Sequence, residues 1–293
     1  MAKKHAYLIM AHKCDYTLRT LIEMLDYPLN DIFIHMDLKN KRFSKESLPR
    51  CLYSKVHITQ RIKVSWGGTS MIKAELLLLK TACKAGKYEY YHLISGEDLP
   101  LKTNDYIYSF FEKHKGKEFV HFQSDVFSEP ERIKYYYFLQ ERAGKNKNFW
   151  HYIDRTLILI QKILNVNRND KMIFRKGAQW FSITDKLARF VIRNEMFINN
   201  TFEYTICCDE VFIQTIVEQS DFFKKNLFHK DYNDDYHAIM RLIDWKRGRP
   251  YIFRESDFNE LIKSKMLWAR KFNSDIDRII ITKIKKYLKE KGT

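Results

Sequence analysis

The chain has 293 residues, of which 45% are hydrophobic and 15% aromatic, so it can bury a sizeable core and is not intrinsically disordered. Its formal net charge of +16 favours an anionic partner, which could be nucleic acid, anionic lipid or a phosphorylated substrate. The five cysteines show no disulfide or zinc spacing, and the N-terminal apolar run, Ala6 to Ala11, is too short for a signal peptide or a membrane span. We therefore expect a cytoplasmic protein.

The first hundred residues predict alternating strands and helices. A strand over His5–Ala11, a helix from about Thr17 to Leu25 and a strand over Asp31–Met36 form a βαβ opening, which favours a parallel sheet. A short strand from Gln60, a Trp-Gly-Gly break and a helix from Ser70 to Lys84 then lead into a buried strand that begins at Tyr90.

The start of the Ser70 helix is a candidate anion site. Thr69 or Ser70 would cap this helix and leave backbone N–H groups free near the crevice of the sheet. The alternative is a plain strand-to-helix turn.

Acidic residues stand at three places where a predicted strand ends or a predicted helix begins. Asp37 ends the second strand, Glu97 and Asp98 stand in a predicted Glu97–Pro100 turn, and Asp209 and Glu210 open a helix. In an open α/β sheet, ligands bind at the carboxyl ends of the strands, so these acids are candidate site residues. Turn formation and helix capping are the structural alternatives.

The second half predicts a helix from Asn104 to about His114, a strand over Glu118–Gln123, a strand that Trp180 precedes, and a helix over Asp185–Asn194. A tract dense in tyrosine and charge precedes that Trp180 strand; its rings could stack on bases or cover sugar faces, or form the buried face of a surface helix. Since the chain contains no recognised nucleic-acid motif, we expect no nucleic-acid partner.

The C-terminal residues form a separate predicted element. We divide the chain into a single domain over 1–275 and a basic amphipathic helix over 276–293. This helix either packs on the domain or makes peripheral contact with the inner face of an anionic membrane.

Six sequence blocks carry a family resemblance that extends from about His5 to Asn273. They are IHMD, SWGGTSMIKAELLLL, LISGEDLPLKTND, KGAQWFSIT, DEVFIQTI and LWARKFN. In order and approximate spacing the chain resembles glycosyltransferase family 14, which includes core-2/I-branching β-1,6-N-acetylglucosaminyltransferases and peptide O-xylosyltransferases.

The resemblance implies a GT-A-type α/β fold with a Rossmann-like, mostly parallel central sheet flanked by helices. It also implies inversion at the anomeric carbon of a UDP-sugar donor, with no metal and no other cofactor required. We expect transfer of N-acetylglucosamine to a glycan or a lipid-linked glycan. Transfer of xylose is the alternative, because the Trp-Gly-Gly block is similar to the xylosyltransferase branch.

The resemblance assigns roles to individual residues. Asp37 resembles the acid that contacts uridine, Glu210 the catalytic base and Lys271 the lysine at the diphosphate; Arg249, with Arg247 as fallback, resembles the partner arginine. The remaining expected donor contacts are His12, Trp66, Gly67 and Asp98. The expected acceptor contacts are Glu97, Arg132, Gln179 and Trp180.

The acceptor motif departs from that of family members acting on galactosyl acceptors. Only Glu131-Arg132-Ile133-Lys134 keeps the family form, whereas the upstream positions fall on residues such as His121 and Glu129. The acceptor is therefore left open.

Overall fold

The computed structural model describes residues 3–232 and 236–292. The strands are β1 His5–Ala11, β2 Asn30–Met36, β3 Val56–Ile58, β4 Tyr90–Ser95, β5 Asp98–Pro100, β6 Phe119–Val120, β7 Phe181–Thr184, β8 Arg241–Ile243 and β9 Trp268–Arg270. The helices are α1 Tyr16–Leu25, α2 Ser70–Ala85, α3 Asn104–Lys113, α4 Glu131–Lys134, α5 Gln140–Ala143, α6 Phe149–Ile163, α7 Asp185–Arg193, α8 Glu195–Phe202, α9 Phe212–Glu218, α10 Asp221–Lys225, α11 Phe258–Lys263 and α12 Arg278–Lys291.

A six-stranded sheet in the order β3-β2-β1-β4-β7-β6 forms the centre of the molecule. β1 pairs in parallel with both β2 and β4, so that Ile9 lies beside Ile34 on one side and Ile94 on the other. Only β7 runs against the other five strands, because it is antiparallel to β4 and to β6. The expected α/β architecture with a mostly parallel sheet is confirmed.

Helices cover both faces of this sheet. Successive residues of a strand point to opposite faces, so Leu8 joins one hydrophobic cluster and Ile9 the other. Residues of α2 and α7 pack in the first cluster, and residues of α1, α3 and α12 pack in the second. Burial on both faces explains why the parallel strands are almost continuously apolar.

A second, three-stranded sheet in the order β5-β9-β8 stands beside the first. The prediction of a turn over Glu97–Pro100 is wrong here, because Asp98 pairs with Arg270 and Pro100 with Trp268 in an antiparallel ladder. β5 is an edge strand, where a proline that lacks an N–H group costs no hydrogen bond.

Other short elements also differ from the predictions. The strand expected from Gln60 lies earlier, at β3 Val56–Ile58, and the strand expected over Glu118–Gln123 shortens to β6 Phe119–Val120. The tyrosine-rich tract forms the short helices α4 and α5 and the start of α6 rather than one surface helix. Strands of two or three residues depend on their partners more than on local pattern.

The C-terminal helix α12 packs on the domain. Ile280, Ile281 and Ile284 are fully buried in the cluster that also contains α1 residues, and Lys285 pairs with Glu23 at 2.6 Å. The apolar face of α12 is therefore occupied by protein, as in the packed-helix alternative. Within residues 3–232 and 236–292, no helix is long and apolar enough to cross a membrane.

Replacing Ile284 by Ala is expected to lower the free energy of unfolding by about 2 to 5 kcal/mol, because it leaves a cavity under α12. The matched control Ile279→Ala removes an exposed side chain and should change the stability by less than about 0.5 kcal/mol. Urea unfolding measures both values, and equal stabilities of the two variants would show that α12 is only loosely attached.

Candidate functional site

A cavity of about 900 Å³ opens at the carboxyl ends of β1, β2 and β4. Ala11, Asp37 and Ser95 stand at or just after these strand ends and form part of its wall. Nine of the twelve predicted site residues line the cavity, namely His12, Asp37, Trp66, Glu97, Gln179, Trp180, Glu210, Arg249 and Lys271. Residues far apart in sequence thus meet at the edge of the sheet where ligands bind in α/β folds.

Glu210 is held at the cavity wall by two cations. It ends a 3-10 turn, Cys208–Glu210, that precedes α9. Nη1 of Arg132 donates a hydrogen bond to Oε2 of Glu210 at 2.9 Å, and Nζ of Lys176 lies 4.0 Å from the same oxygen. Glu129 pairs with both cations as well but does not line the cavity. The Glu210 carboxylate is thus fixed in place while its side chain remains partly open to the cavity.

Gly67 and Arg132, expected to contact ligands directly, instead support Glu210. The carbonyl of Gly67 accepts a hydrogen bond from the N–H of Cys207 at 2.8 Å, next to the Glu210 turn. Gly67 has a φ of +70°, which favours glycine, and a β-carbon there would lie 3.0 Å from the sulfur of Cys207. Neither Gly67 nor Arg132 lines the cavity.

Asp98 also lies away from the cavity, contrary to the expected donor contact. Its side chain is fully buried and accepts hydrogen bonds from the backbone N–H and the hydroxyl of Ser95. Nε of Arg270 lies 3.5 Å from Asp98. Glu97 and Asp98 are neighbours at the start of a strand and therefore point in opposite directions, so that only Glu97 reaches the cavity.

Basic side chains gather at another part of the cavity wall. Nζ of Lys271 pairs with Oε2 of Glu97 at 2.8 Å, and Arg249 and Arg270 also line the cavity. The fallback residue Arg247 does not line the cavity, because its guanidinium pairs with Asp257 at 2.7 Å and with Glu260 at 3.0 Å. The geometry therefore favours Arg249 over Arg247.

Hydrogen bonds hold Asp37 in place, both from the residues that directly follow it and from the segment after β3. Its Oδ1 atom accepts hydrogen bonds from the backbone N–H groups of Lys39 at 2.9 Å and Val64 at 3.3 Å. Arg61 donates to the carbonyl of Asp37 at 3.0 Å. His35, two residues earlier, also lines the cavity, and burial lowers its pKa, which favours the neutral imidazole.

A pair of buried acids stands behind Glu210. Asp209 is buried, and desolvation together with the charge of Glu210 raises its pKa to about 7. Glu75, on α2, is fully buried, and burial and the charge of Asp209 raise its pKa well above the ordinary range. Gln179 donates to Glu75 at 2.8 Å, whereas Oδ1 of Asp209 has no hydrogen-bond partner among the described residues.

The raised pKa of Asp209 predicts a pH-dependent stability. The unfolded pKa lies near 3.8 and the folded one near 7, so the folded state binds more protons between these values and stability falls as pH rises through this window. Asp209→Asn should remove this slope and stabilise the protein at pH 8 by on the order of 2 to 4 kcal/mol. Unfolding curves from pH 4 to about pH 8 test this, with the exposed Asp221→Asn as control; parallel curves for wild type and Asp209→Asn would contradict it.

The predicted anion site at the start of α2 is already filled. The backbone N–H and the hydroxyl of Ser70 both donate to the carboxylate of Glu141, at 2.7 Å each. Thr69 occupies the N-cap position but makes no side-chain capping bond. The expectation of free N–H groups for a bound anion is wrong at this helix, because the chain supplies its own carboxylate.

Several cavity residues were not predicted from the sequence, and four of them could bind a ligand through a basic or aromatic ring or a cation. These four are His35, Lys176, Trp245 and Arg270. Arg270 directly precedes Lys271 in the LWARKFN block, and its guanidinium lies over the ring of Trp180, 4.3 Å from the centroid. Lys176 begins the KGAQWFSIT block. Arg270, Lys176 and His35, which stands in the IHMD block, were therefore within reach of the quoted motifs, whereas Trp245 lies outside all of them.

No group of three or more histidine, cysteine or acidic side chains in the described part of the chain is placed to hold a metal ion.

Comparison with known proteins provides the remaining findings. A family model described as Core-2/I-Branching enzyme matches residues 5–265. Xylosyltransferase 2 of Rattus norvegicus is 21% identical and is matched over 94% of this chain and 32% of its own length. The xylosyltransferase of Ciona intestinalis is 21% identical, over 94% of this chain and 33% of its own. The chain thus spans about a third of the length of these curated relatives.

Comparison with solved structures gives two matches with low TM-scores. Mouse xyloside xylosyltransferase 1 in its apo form is 9% identical with a TM-score of 0.39, over 91% of this chain and 96% of that one. The crystal structure of S. aureus TarS is 13% identical with a TM-score of 0.28, over 45% of this chain and 24% of that one.

Proposed function

Because the chain belongs to the Core-2/I-Branching enzyme family, we propose that it is an inverting glycosyltransferase that uses a UDP-sugar donor. Its fold is of the GT-A type expected for that family. The observation that carries the proposal is one cavity that holds both an oriented carboxylate, Glu210, and a separate group of cations, Arg249, Arg270 and Lys271. A displacement at an anomeric carbon needs both functions in one site.

In the proposed reaction Glu210 acts as the general base. Its carboxylate takes the proton of an acceptor hydroxyl, and the acceptor oxygen forms a bond to the anomeric carbon of the donor. The bond from that carbon to the diphosphate breaks on the opposite side, so the configuration inverts and UDP leaves. Arg132 and Lys176 hold Glu210 in position, and Lys271 and Arg249 stabilise the negative charge that develops on UDP.

The other cavity residues divide between the two substrates. Asp37 would accept hydrogen bonds from uridine, with His12 and Trp66 as further donor contacts. Trp180, Gln179 and Glu97 would contact the acceptor, because an aromatic ring can cover the C–H face of a sugar while polar groups bind its hydroxyls. The Lys271–Glu97 ion pair at 2.8 Å would then join the donor and acceptor parts of the cavity.

Two donor sugars enter the proposal. N-acetylglucosamine is the prediction from the sequence. Xylose is supported by the names of the relatives, since the xylosyltransferases that match this chain do so over 94% of its length. The acceptor is a glycan or a lipid-linked glycan. Cations in place of a metal at the diphosphate lead us to propose that no divalent ion is required.

A basic nucleic-acid-binding protein is the rival from another class, since the net charge of +16 fits it equally well. Calorimetry with UDP and gel-shift assays with DNA and RNA distinguish the two functions. We expect UDP binding and no salt-sensitive band shift. Tight, salt-sensitive nucleic-acid binding without heat from UDP would overturn the proposed function.

A further inference from the structure

Helix α6 carries five of its large apolar residues on the side that faces solvent. With 3.6 residues per turn, these positions fall within about 100° of the helix circumference and so lie on one face. The exposed side chains are Phe149, Tyr152, Leu159, Ile160 and Ile163, with Phe149 69% and Ile163 78% exposed. We call these five residues the α6 apolar face. Its contiguity distinguishes it from the scattered exposed apolar residues that any protein has.

The opposite side of α6 faces the protein and buries two polar side chains, Asp154 and Gln161, together with Ile158. Oδ1 of Asp154 accepts a hydrogen bond from the backbone N–H of Leu139 at 3.1 Å. The side-chain oxygen of Gln161 accepts a hydrogen bond from the backbone N–H of Tyr136 at 2.8 Å, and the side-chain amide of Gln161 donates to the carbonyl of Tyr136 at 2.9 Å. Turning the α6 apolar face inward would break these buried bonds, so the helix is fixed with its apolar face outward.

Basic residues border this face. Lys145 and Lys147 directly precede α6 and Arg155 lies on it, and all three are exposed. An apolar helix face with basic residues at its margin is the pattern of helices that lie in the interface of an anionic membrane. The net charge of +16 adds a long-range attraction to such a surface.

We propose that the α6 apolar face docks on an anionic lipid bilayer. A second copy of the chain fits this face less well, because two chains of charge +16 would meet with their basic margins together. A bilayer accepts the apolar side chains and neutralises Lys145, Lys147 and Arg155 at its surface. This surface is distinct from α12, whose buried isoleucines cannot enter lipid.

Docking through α6 would hold the cavity close to the membrane. Lys145 lines the cavity four residues before α6 begins, and Gln140 of α5 donates to the carbonyl of the cavity residue Trp66 at 2.8 Å. This consequence rests on the proposed function: a cavity beside the lipid headgroups selects an acceptor glycan that is carried on a lipid.

Vesicle flotation of the full chain tests the docking. We expect binding to vesicles of phosphatidylglycerol mixed with phosphatidylcholine and much weaker binding to phosphatidylcholine alone. The variant Leu159→Glu/Ile163→Glu should lose about 100-fold in affinity, since two apolar anchors are removed from the bilayer. The control Met196→Glu/Ile279→Glu makes the same change in charge at two equally exposed apolar positions outside α6 and should bind almost as the wild type does.

Several results would overturn the proposal. Wild-type protein that does not float with anionic vesicles, or equal binding of the two Glu variants, would remove α6 from membrane binding. A wild-type dimer in sedimentation that Leu159→Glu/Ile163→Glu converts to monomers, with vesicle binding unchanged, would assign the face to a second copy. If the double variant Leu159→Glu/Ile163→Glu fails to fold, the single variant Ile163→Ser replaces it in the vesicle assay. UDP calorimetry on the same variants reports on the cavity alone, so a failure of docking is distinguishable from a failure of the proposed function.

Discussion

Replacing Glu210 by Gln is expected to lower the rate of sugar transfer by on the order of 10² to 10⁴-fold, the usual contribution of a general base. The amide keeps the shape of the side chain and can still accept the hydrogen bond from Arg132, but it cannot take a proton from the acceptor. The fold and the affinity for UDP should therefore remain close to those of the wild type. Transfer rates and UDP calorimetry on the same preparation measure the two effects.

Glu129→Gln is a closely matched control for this prediction. Glu129 pairs with the same two cations as Glu210, namely Arg132 and Lys176, but lies outside the cavity wall. A general loss of charge around Arg132 would affect both variants, whereas loss of the base affects Glu210→Gln alone. Near-normal transfer by Glu210→Gln would exclude Glu210 as the base and direct attention to Asp209 or Glu97, two other acids that line the cavity.

Replacing Lys271 by Ala is expected to lower the rate by on the order of 10²-fold or more, and wild-type activity is expected to survive EDTA. Lys271 is a fixed cation of the kind that stabilises charge on a leaving diphosphate, and removal of one preorganised stabilising group has effects of this size. A metal at the same diphosphate would be crowded by Lys271, Arg249 and Arg270, which all line the cavity. Assays with EDTA and with added manganese measure the metal dependence directly.

Lys13→Ala separates this role from a change in overall charge. Lys13 pairs with Asp15 at 2.7 Å and does not line the cavity, so its loss removes the same charge without touching the diphosphate. Loss of activity in EDTA with rescue by manganese would contradict metal independence. Glu97 would then be the first ligand to test, because Asp98 is buried against Ser95 and points away from the cavity.

The long parallel strands could be predicted from sequence almost to the residue. Strand β1 was predicted over its full range, and β2 began one residue earlier than expected. β1 is an apolar run from Ala6 to Ala11, and β2 has the apolar core Ile32–Ile34 followed by Met36, so the local pattern contains the information. Strand β5 could not be predicted, because its partner β9 lies about 170 residues away and nothing local distinguishes Asp98–Pro100 from a turn.

The candidate site shows the same division between local and distant information. Most of the residues predicted from the motif blocks line the cavity wall, but the blocks could not show which of two adjacent acids faces inward, as with Glu97 and Asp98. They also could not show that Glu141, about 70 residues further along the chain, fills the start of α2. The amphipathic pattern of α6 is visible in the sequence, yet only the bonds of Asp154 and Gln161 reveal that the apolar side faces out.

Release of UDP from a panel of UDP-sugars in EDTA tests the proposed chemistry most directly, because many transferases slowly hydrolyse their donor and no acceptor need be known. We predict that the wild type and Lys13→Ala hydrolyse UDP-N-acetylglucosamine or UDP-xylose and that Lys271→Ala loses on the order of 10²-fold or more of this rate. If no UDP-sugar is hydrolysed and UDP does not bind, or if hydrolysis appears only with added manganese, a metal-independent UDP-sugar transferase in this cavity is contradicted.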